Sequence, residues 1–329
     1  MLKSPNTPTC LNDAVVYFAD PDQALSFLVE LRWPDGVRCP HCGTDNPSFL
    51  KSRRIWKCRD KGCRKQFSIK VGTIFEDSPL GLDKWLPALW LIANAKNGIS
   101  SYEVARALGV TQKTAWFMLG RIRAAMEYAG GDPFSGEVEI DESFVGGRYE
   151  YMHKSKRNRL GAGDAGKNKV AITGILERGR IESQRAKGKR GASRVRVTLS
   201  KNLADTKGLF AHVKGTVRPG SAVYTDEARE YGILSNAYNR QVINHSHEYV
   251  RGVVHTNGIE NFWSLLKRTI KGTYVSIDPF HTLRYIDEQV FRFNNRRAGD
   301  GERFVAVLAS LVGKRLTYRQ LTGADLATT

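Results

Sequence analysis

Residues 254–271 read VHTNGIENFWSLLKRTIK. At about 100° per residue, Ile259, Phe262, Trp263, Leu266 and Ile270 fall within one apolar arc, so the stretch predicts an amphipathic helix with a buried face. Asn257, Glu260, Ser264, Lys267 and Lys271 fall in a second arc, about a quarter-turn away. A carboxylate and several amines thus project together beside the core face. Taken alone, such an arc is a solvated charged side. It becomes a site only where other carboxylates converge on Glu260.

Two upstream stretches supply them. EVEIDESFV, 137–145, alternates apolar and acidic residues as a strand does and sets Asp141 mid-strand beside Glu139 and Glu142. Burying so many carboxylates without a cation is costly. SAVYTD, 221–226, predicts a strand that ends on Asp226, the end where site residues of alternating α/β sheets gather. Strand-like runs at 169–176, 193–199 and 241–244, with helices expected at 202–213, after Pro279 and at 303–312, complete an α/β pattern. His245 and His247 read as a polar loop near the site rather than as ligands.

Asp141, Asp226 and Glu260 therefore form a set, with 84 and 33 residues between them. Phosphodiester cleavage at neutral pH uses one cation to activate the attacking oxygen and another, roughly 4 Å away, to stabilise the leaving oxygen. Clustered carboxylates hold such a pair, and hard oxygen ligands favour two ions of Mg²⁺ or Mn²⁺. Lys267, two turns beyond Glu260, shares its face and suits a DNA phosphate, with Arg268 beside it. Asn257 lies one turn before Glu260 and points the same way, so either side chain reaches the metal; the negative charge favours Glu260.

Composition names the substrate class. The 329 residues hold 51 Lys and Arg against 33 Asp and Glu, a formal charge of +18, which points to a polyanionic partner. Of that excess, +11 lies in residues 148–197, whose basic loop includes Lys187, Lys189 and Arg190 and reads as a platform for a phosphate backbone. An anionic membrane is the competing partner. The chain shows no apolar run of about 18 residues and no secretory signal, so the expected place is the cytoplasm, on the nucleoid, with no membrane contact.

Nearer the N-terminus, Cys39-Pro-His-Cys42 and Cys58-Arg-Asp-Lys-Gly-Cys63 lie fifteen residues apart. Two cysteine pairs on tight turns around a hairpin predict one structural Zn²⁺ held by four thiolates. Cys10 reads as a free thiol with no role, and one short helix is expected after the capping candidates Asp20 or Asp22. Beyond an apolar helix from Leu82, SSYEVARALGVTQKTAWFMLGRIRAAM reads as two capped helices joined at Gly109, the helix-turn-helix spacing. Gln112, Lys113, Thr114, Phe117 and Arg121 are then its groove-facing candidates. Gly130-Gly131-Asp132-Pro133 marks a linker.

Asp141-Glu-Ser-Phe-Val-Gly-Gly147, Tyr224-Thr-Asp226 and His255-Thr-Asn-Gly-Ile-Glu260-Asn-Phe-Trp-Ser-Leu-Leu-Lys267-Arg268, behind a four-cysteine ribbon, resemble the DDE-type transposases of bacterial insertion sequences. The group is the one called ISXO-two-like, within the IS fifteen-ninety-five family, and the resemblance spans residues 20–297. It implies an RNase H-like catalytic domain, a mixed sheet flanked by helices, in which Asp141, Asp226 and Glu260 bind two divalent ions. Lys267 matches the family's basic residue seven positions beyond the acid, and some relatives carry asparagine in place of the third acid. Water and then the freed 3′-hydroxyl attack phosphorus in line, at the element's terminal repeats and then in target double-stranded DNA. Two ends must be held together, so a homodimer or larger assembly is expected. The expected organisation is an N-terminal helical lead (1–34), zinc ribbon (35–78), helix-turn-helix module (79–130), catalytic domain with a basic hairpin insert (131–300) and C-terminal helix and tail (301–329). Competing readings are a DNA-binding regulator with an inactive catalytic relic, and an RNase H-like nuclease that cleaves without joining.

Overall fold

The computed structural model describes residues 7–127, 130–146, 154, 169–179, 191–200, 206–243 and 254–324, in two compact units: Met1–Glu127 with Ala298–Thr329, and Tyr128–Arg297. The first unit opens with two helices, α1 (Leu11–Ala19) and α2 (Pro21–Arg32), where the sequence suggested one. Asp20 divides them: its carboxylate accepts from the Asp22 and Gln23 N–H groups and caps α2, with Pro21 at the first helical position. Cys10, expected to have no role, stands at the N-cap of α1 with Sγ 3.5 Å from the Asp13 nitrogen.

A three-stranded antiparallel ribbon follows, β1 (Pro47–Leu50), β2 (Ile55–Cys58) and β3 (Gln66–Phe67). Trp56 stacks on Phe67 and meets Phe49 and Trp33, a small aromatic nucleus that packs one end of the ribbon. Next come α3 (Leu82–Asn94), α4 (Ser101–Leu108) and α5 (Gln112–Met126). Ser100 and Glu103 cap α4 reciprocally, Gly109 ends it in the left-handed region at φ 65°, and Thr111 caps α5. The turn and caps read from the sequence are therefore the ones that form.

The second unit is built on a five-stranded mixed sheet of order β6-β5-β4-β7-β8, where β4 is Glu137–Val145, β5 Val170–Glu177, β6 Arg194–Ser200, β7 Ala222–Thr225 and β8 Asn239–Val242. Strands β4, β5 and β6 pair antiparallel, while β7 and β8 add in parallel, after α6 (Thr206–Thr216) and a 3₁₀ stretch Arg229–Asn236. Alternation along β4 divides two cores. Val138 and Ile140 pack with Ile175, Val223 and Val213 of α6 on one face. On the other, Val145, Ile172 and Leu176 pack with Ile259, Phe262, Trp263 and Leu266 of α7 (Asn257–Thr269) and with Ile286 and Val290 of α8 (Thr282–Asn294). The apolar arc of 254–271 is this buried face, though Ile270 is only half-buried where α7 passes into a π turn, Ile270–Tyr274.

One glycine makes the packing possible. Gly174 on β5 lies opposite Asp141, and a Cβ there would sit 2.6 Å from the Trp263 ring. Gly174→Ala is expected to lower the unfolding free energy of the second unit by roughly 1–3 kcal/mol, read from urea melts, because Trp263 must move. An unchanged midpoint would contradict this packing.

From Ala298 the chain rejoins the first unit with α9 (Asp300–Leu308) and α10 (Tyr318–Thr322). Phe304 on α9 is fully buried against Phe18, Phe27 and Trp90, so this helix shares the first unit's core. Among the described residues no helix is long and apolar enough to cross a membrane.

Candidate active site and metal centre

The four paired cysteines converge. Sγ of Cys39 lies 3.8 Å from that of Cys63, Sγ of Cys42 lies 3.6 Å from that of Cys58, and all four fall within 4.8 Å of one another. A tetrahedron of thiolates about 2.3 Å from Zn²⁺ has edges of about 3.8 Å, so the donor set fits that ion. Two turns bring the thiols together. Gly43 at φ 79° closes the first, and Arg64, a non-glycine at φ 48°, closes the second. Burial works against the Cys39 thiolate, yet hydrogen bonds from the His41 and Cys42 backbone N–H groups pull that thiol below its ordinary range. At Cys42 the Thr44 N–H bond is outweighed by burial and by the neighbouring thiols, which push it up to about 12. His41 is exposed, as a knuckle residue and not a ligand would be.

In the second unit Asp141 is half-buried on β4, and its Oδ2 accepts from Trp263 Nε1 at 3.0 Å. Its carboxyl is pushed up to about 6, first by burial and then, against the Glu142 backbone N–H and Trp263 bonds, by the charges of Asp226 and Glu260. Asp226 follows the last residue of β7, beside β4 in the sheet, with Oδ1 accepting from the Ala228 N–H at 3.0 Å. Glu260 is exposed on α7 and accepts the Thr256 hydroxyl at 2.7 Å. Asp141 and Glu260 line one open cleft of about 550 Å³ together with Trp263, Ser264, Lys267, Arg268 and Lys271. Asn257 is exposed at the start of α7, and Glu260 rather than Asn257 lines the cleft. A half-buried carboxylate whose ionisation is made costly by burial and by neighbouring acids, beside a row of amines, belongs to a donor set suited to a divalent cation and a phosphate.

Sequence reasoning gave Glu142 and Trp263 no part in the site. Glu142 also lines the cleft, takes the Thr173 hydroxyl at 3.3 Å, and is pushed up to about 7, first by burial and then, against that bond, by Asp141, Asp226 and Glu230. Its adjacency to Asp141 was the available signal. Trp263 carried none, because an indole on an apolar arc looks like core until its N–H finds a carboxylate.

The groove-facing set divides. Gln112 Nε2 donates to Ser101 Oγ at 2.8 Å, Thr114 and Thr111 hydroxyls pair at 2.8 Å, and exposed Lys113 lies 5.1 Å over the Tyr318 ring. Phe117 and Arg121 are a correction. Arg121 is 4% exposed, and its guanidinium donates to the Leu316, Ile74 and Glu76 carbonyls, while Phe117 packs between Tyr318 and Arg121. A buried cation with three carbonyl partners is a structural tie, and the half-buried Phe117 ring is held by two neighbours. Lys187, Lys189, Arg190, Gly147, His245 and His247 lie outside the described residues.

Residues 133–294 match the ISXO2-like transposase domain, and residues 19–66 match the transposase zinc-ribbon domain that accompanies it. The chain belongs to the ISXO2-like transposases. Among similar proteins, one of Halobacterium salinarum bearing the name "Uncharacterized protein in transposable element ISH50" is 27% identical over 264 residues, 76% of this chain and 83% of that protein. An "Uncharacterized transposase-like protein" of Haemophilus influenzae is 36% identical over 88 residues, 26% of this chain and 71% of its own. The zinc-ribbon match contains all four cysteines, and the transposase match contains Asp141, Asp226, Glu260 and Lys267. The transposase domain begins at the linker and runs to the end of α8, so it coincides with the second unit.

Proposed function

We propose that this transposase binds the ends of its element and catalyses divalent-metal-dependent hydrolysis at those ends, followed by transfer of the freed strands into target DNA. The observation that carries the reading is the cleft in which Asp141 and Glu260 face Lys267, Arg268 and Lys271, with Asp226 just past the end of the adjoining strand. The strand order, three antiparallel strands followed by two parallel ones, supports an RNase H-like catalytic domain.

Asp141, Asp226 and Glu260 would hold the ions. Two Mg²⁺ or Mn²⁺ ions, when bound, supply the Lewis acidity that activates an attacking oxygen and stabilises a leaving one. The chain does the rest. Trp263 fixes one Asp141 oxygen, the Thr256 hydroxyl fixes one from Glu260, and the three basic side chains of α7 and its π turn receive the phosphate backbone. In the first unit the zinc-held ribbon and the start of α5, with exposed Lys113 and half-buried Gln112 and Thr114, are proposed to read the terminal repeats as a helix-turn-helix module does. A homodimer or larger assembly on DNA follows from the need to hold two ends.

Labelled duplex carrying the element's end, incubated with the chain and Mg²⁺, is expected to be nicked and then joined to a second duplex. Glu260→Ala should lower both steps by ~10³-fold with binding retained. Cleavage with no joining would leave a nuclease, and binding with no scission would leave a regulator.

A further inference from the structure

We infer that Glu139 is the positioning residue of the catalytic site: with Arg178 it ties together the three elements that carry Asp141, Asp226 and Glu260. The inference rests on the reading of those acids as metal ligands and adds what holds them in register. Glu139 lies two residues before Asp141 on β4, turned to the same side, and is 1% exposed. Its Oε2 accepts the Ile259 N–H at 2.9 Å, the residue just before Glu260.

That bond replaces a cap that α7 lacks. Thr256, the N-cap residue, makes no capping bond and donates its hydroxyl to Glu260 instead. A buried carboxylate from the sheet thus satisfies an amide of the first turn and faces the positive end of the helix. Gly258 is what lets it approach, since a Cβ there would lie 2.8 Å from Oε2. The other oxygen, Oε1, accepts Arg178 Nε at 2.6 Å and lies 3.4 Å from His255 Nδ1. Arg178 Nη2 donates to the His255 carbonyl at 2.7 Å, and its guanidinium lies 4.4 Å over the ring of Tyr224, two residues before Asp226. Glu139, Ile259 and Tyr224 therefore each sit one or two residues before one of the three acids, so a shift at the pair moves all three acids together.

The test uses the full-length chain. Mn²⁺ affinity is titrated by electron paramagnetic resonance, and kcat and KM for end-cleavage are measured in parallel. Glu139→Ala and Gly258→Ala are each expected to weaken Mn²⁺ binding and lower kcat by ~10–100-fold, with KM for DNA unchanged. Glu139→Gln, which still accepts the Ile259 N–H, should recover at least part of both. Cooperative thermal unfolding identifies the variants that remain folded. A folded Glu139→Ala protein with Mn²⁺ affinity and kcat within about twofold of the parent overturns the inference, as does a Glu139→Gln protein no better than Glu139→Ala. Glu260→Ala separates the two levels: if it leaves Mn²⁺ affinity intact, the metal reading fails and takes the inference with it. Loss in Glu260→Ala with none in Glu139→Ala overturns the inference alone.

Discussion

Asp141→Asn is expected to abolish strand scission and, in the same protein stripped of divalent ions, to raise stability at neutral pH. The two effects have one cause. Asp141 is held where its charge is costly, with burial the leading contribution and Asp226 and Glu260 adding to it, so its carboxyl is pushed up from 3.8 to about 6. Between those values the folded chain binds a proton that the unfolded chain has released, so this group's contribution to stability falls as pH rises through the window. Above it the penalty is complete, at most about 3 kcal/mol for a shift of about two units. Asparagine carries no charge and still offers an oxygen to Trp263 Nε1. Urea unfolding of the chelated proteins should therefore show Asp141→Asn gaining on the parent from pH 4 to 7, while its turnover with Mg²⁺ drops by ~10³-fold or more. An Asn protein less stable than the parent at pH 7 would show that the carboxylate is compensated within the fold and is no reservoir of strain for a cation.

Cys58→Ser, or chelation of the intact protein, is expected to unfold the ribbon and abolish end-specific DNA binding while the second unit keeps its fold. Structural zinc sites contribute about 10–16 kcal/mol of apparent binding energy, more than a small ribbon draws from four aromatic rings. Cys58 is buried and lies on β2, beside Trp56, so losing its thiolate releases both the metal and the strand that centres the aromatic nucleus. The second unit has its own cores on both faces of its sheet and should melt as before. Zinc content, one differential calorimetry scan and a gel shift with the terminal repeat together measure this. Retained end binding in a zinc-free protein would remove the ribbon from recognition.

The local signals were legible wherever a short-range rule governs. The start of β4 follows from the alternation of Glu137 to Asp141, α4 and α5 from Ser100, Gly109 and Thr111, and the zinc site from the spacing of two cysteine pairs. Residues 11–19 hid α1 because a cysteine supplies an N-cap too weak to recognise. Arg121 was misjudged because a cation on a polar helix position looks solvent-facing until a distant loop brings Leu316 and Ile74 carbonyls to it.

The sequence of 254–271 by itself determined that α7 would bury Ile259, Phe262, Trp263 and Leu266 and offer Glu260 and Lys267 on another side, since a helical period fixes both arcs at once. It also named Asp141 and Asp226 as partners, from residue type and place in a strand. Only the tertiary structure decided how these meet. A glycine on β5 lets Trp263 reach Asp141, and Glu139 caps the helix from the sheet. Register and depth are properties of contacts between segments far apart in the chain, and no local period encodes them.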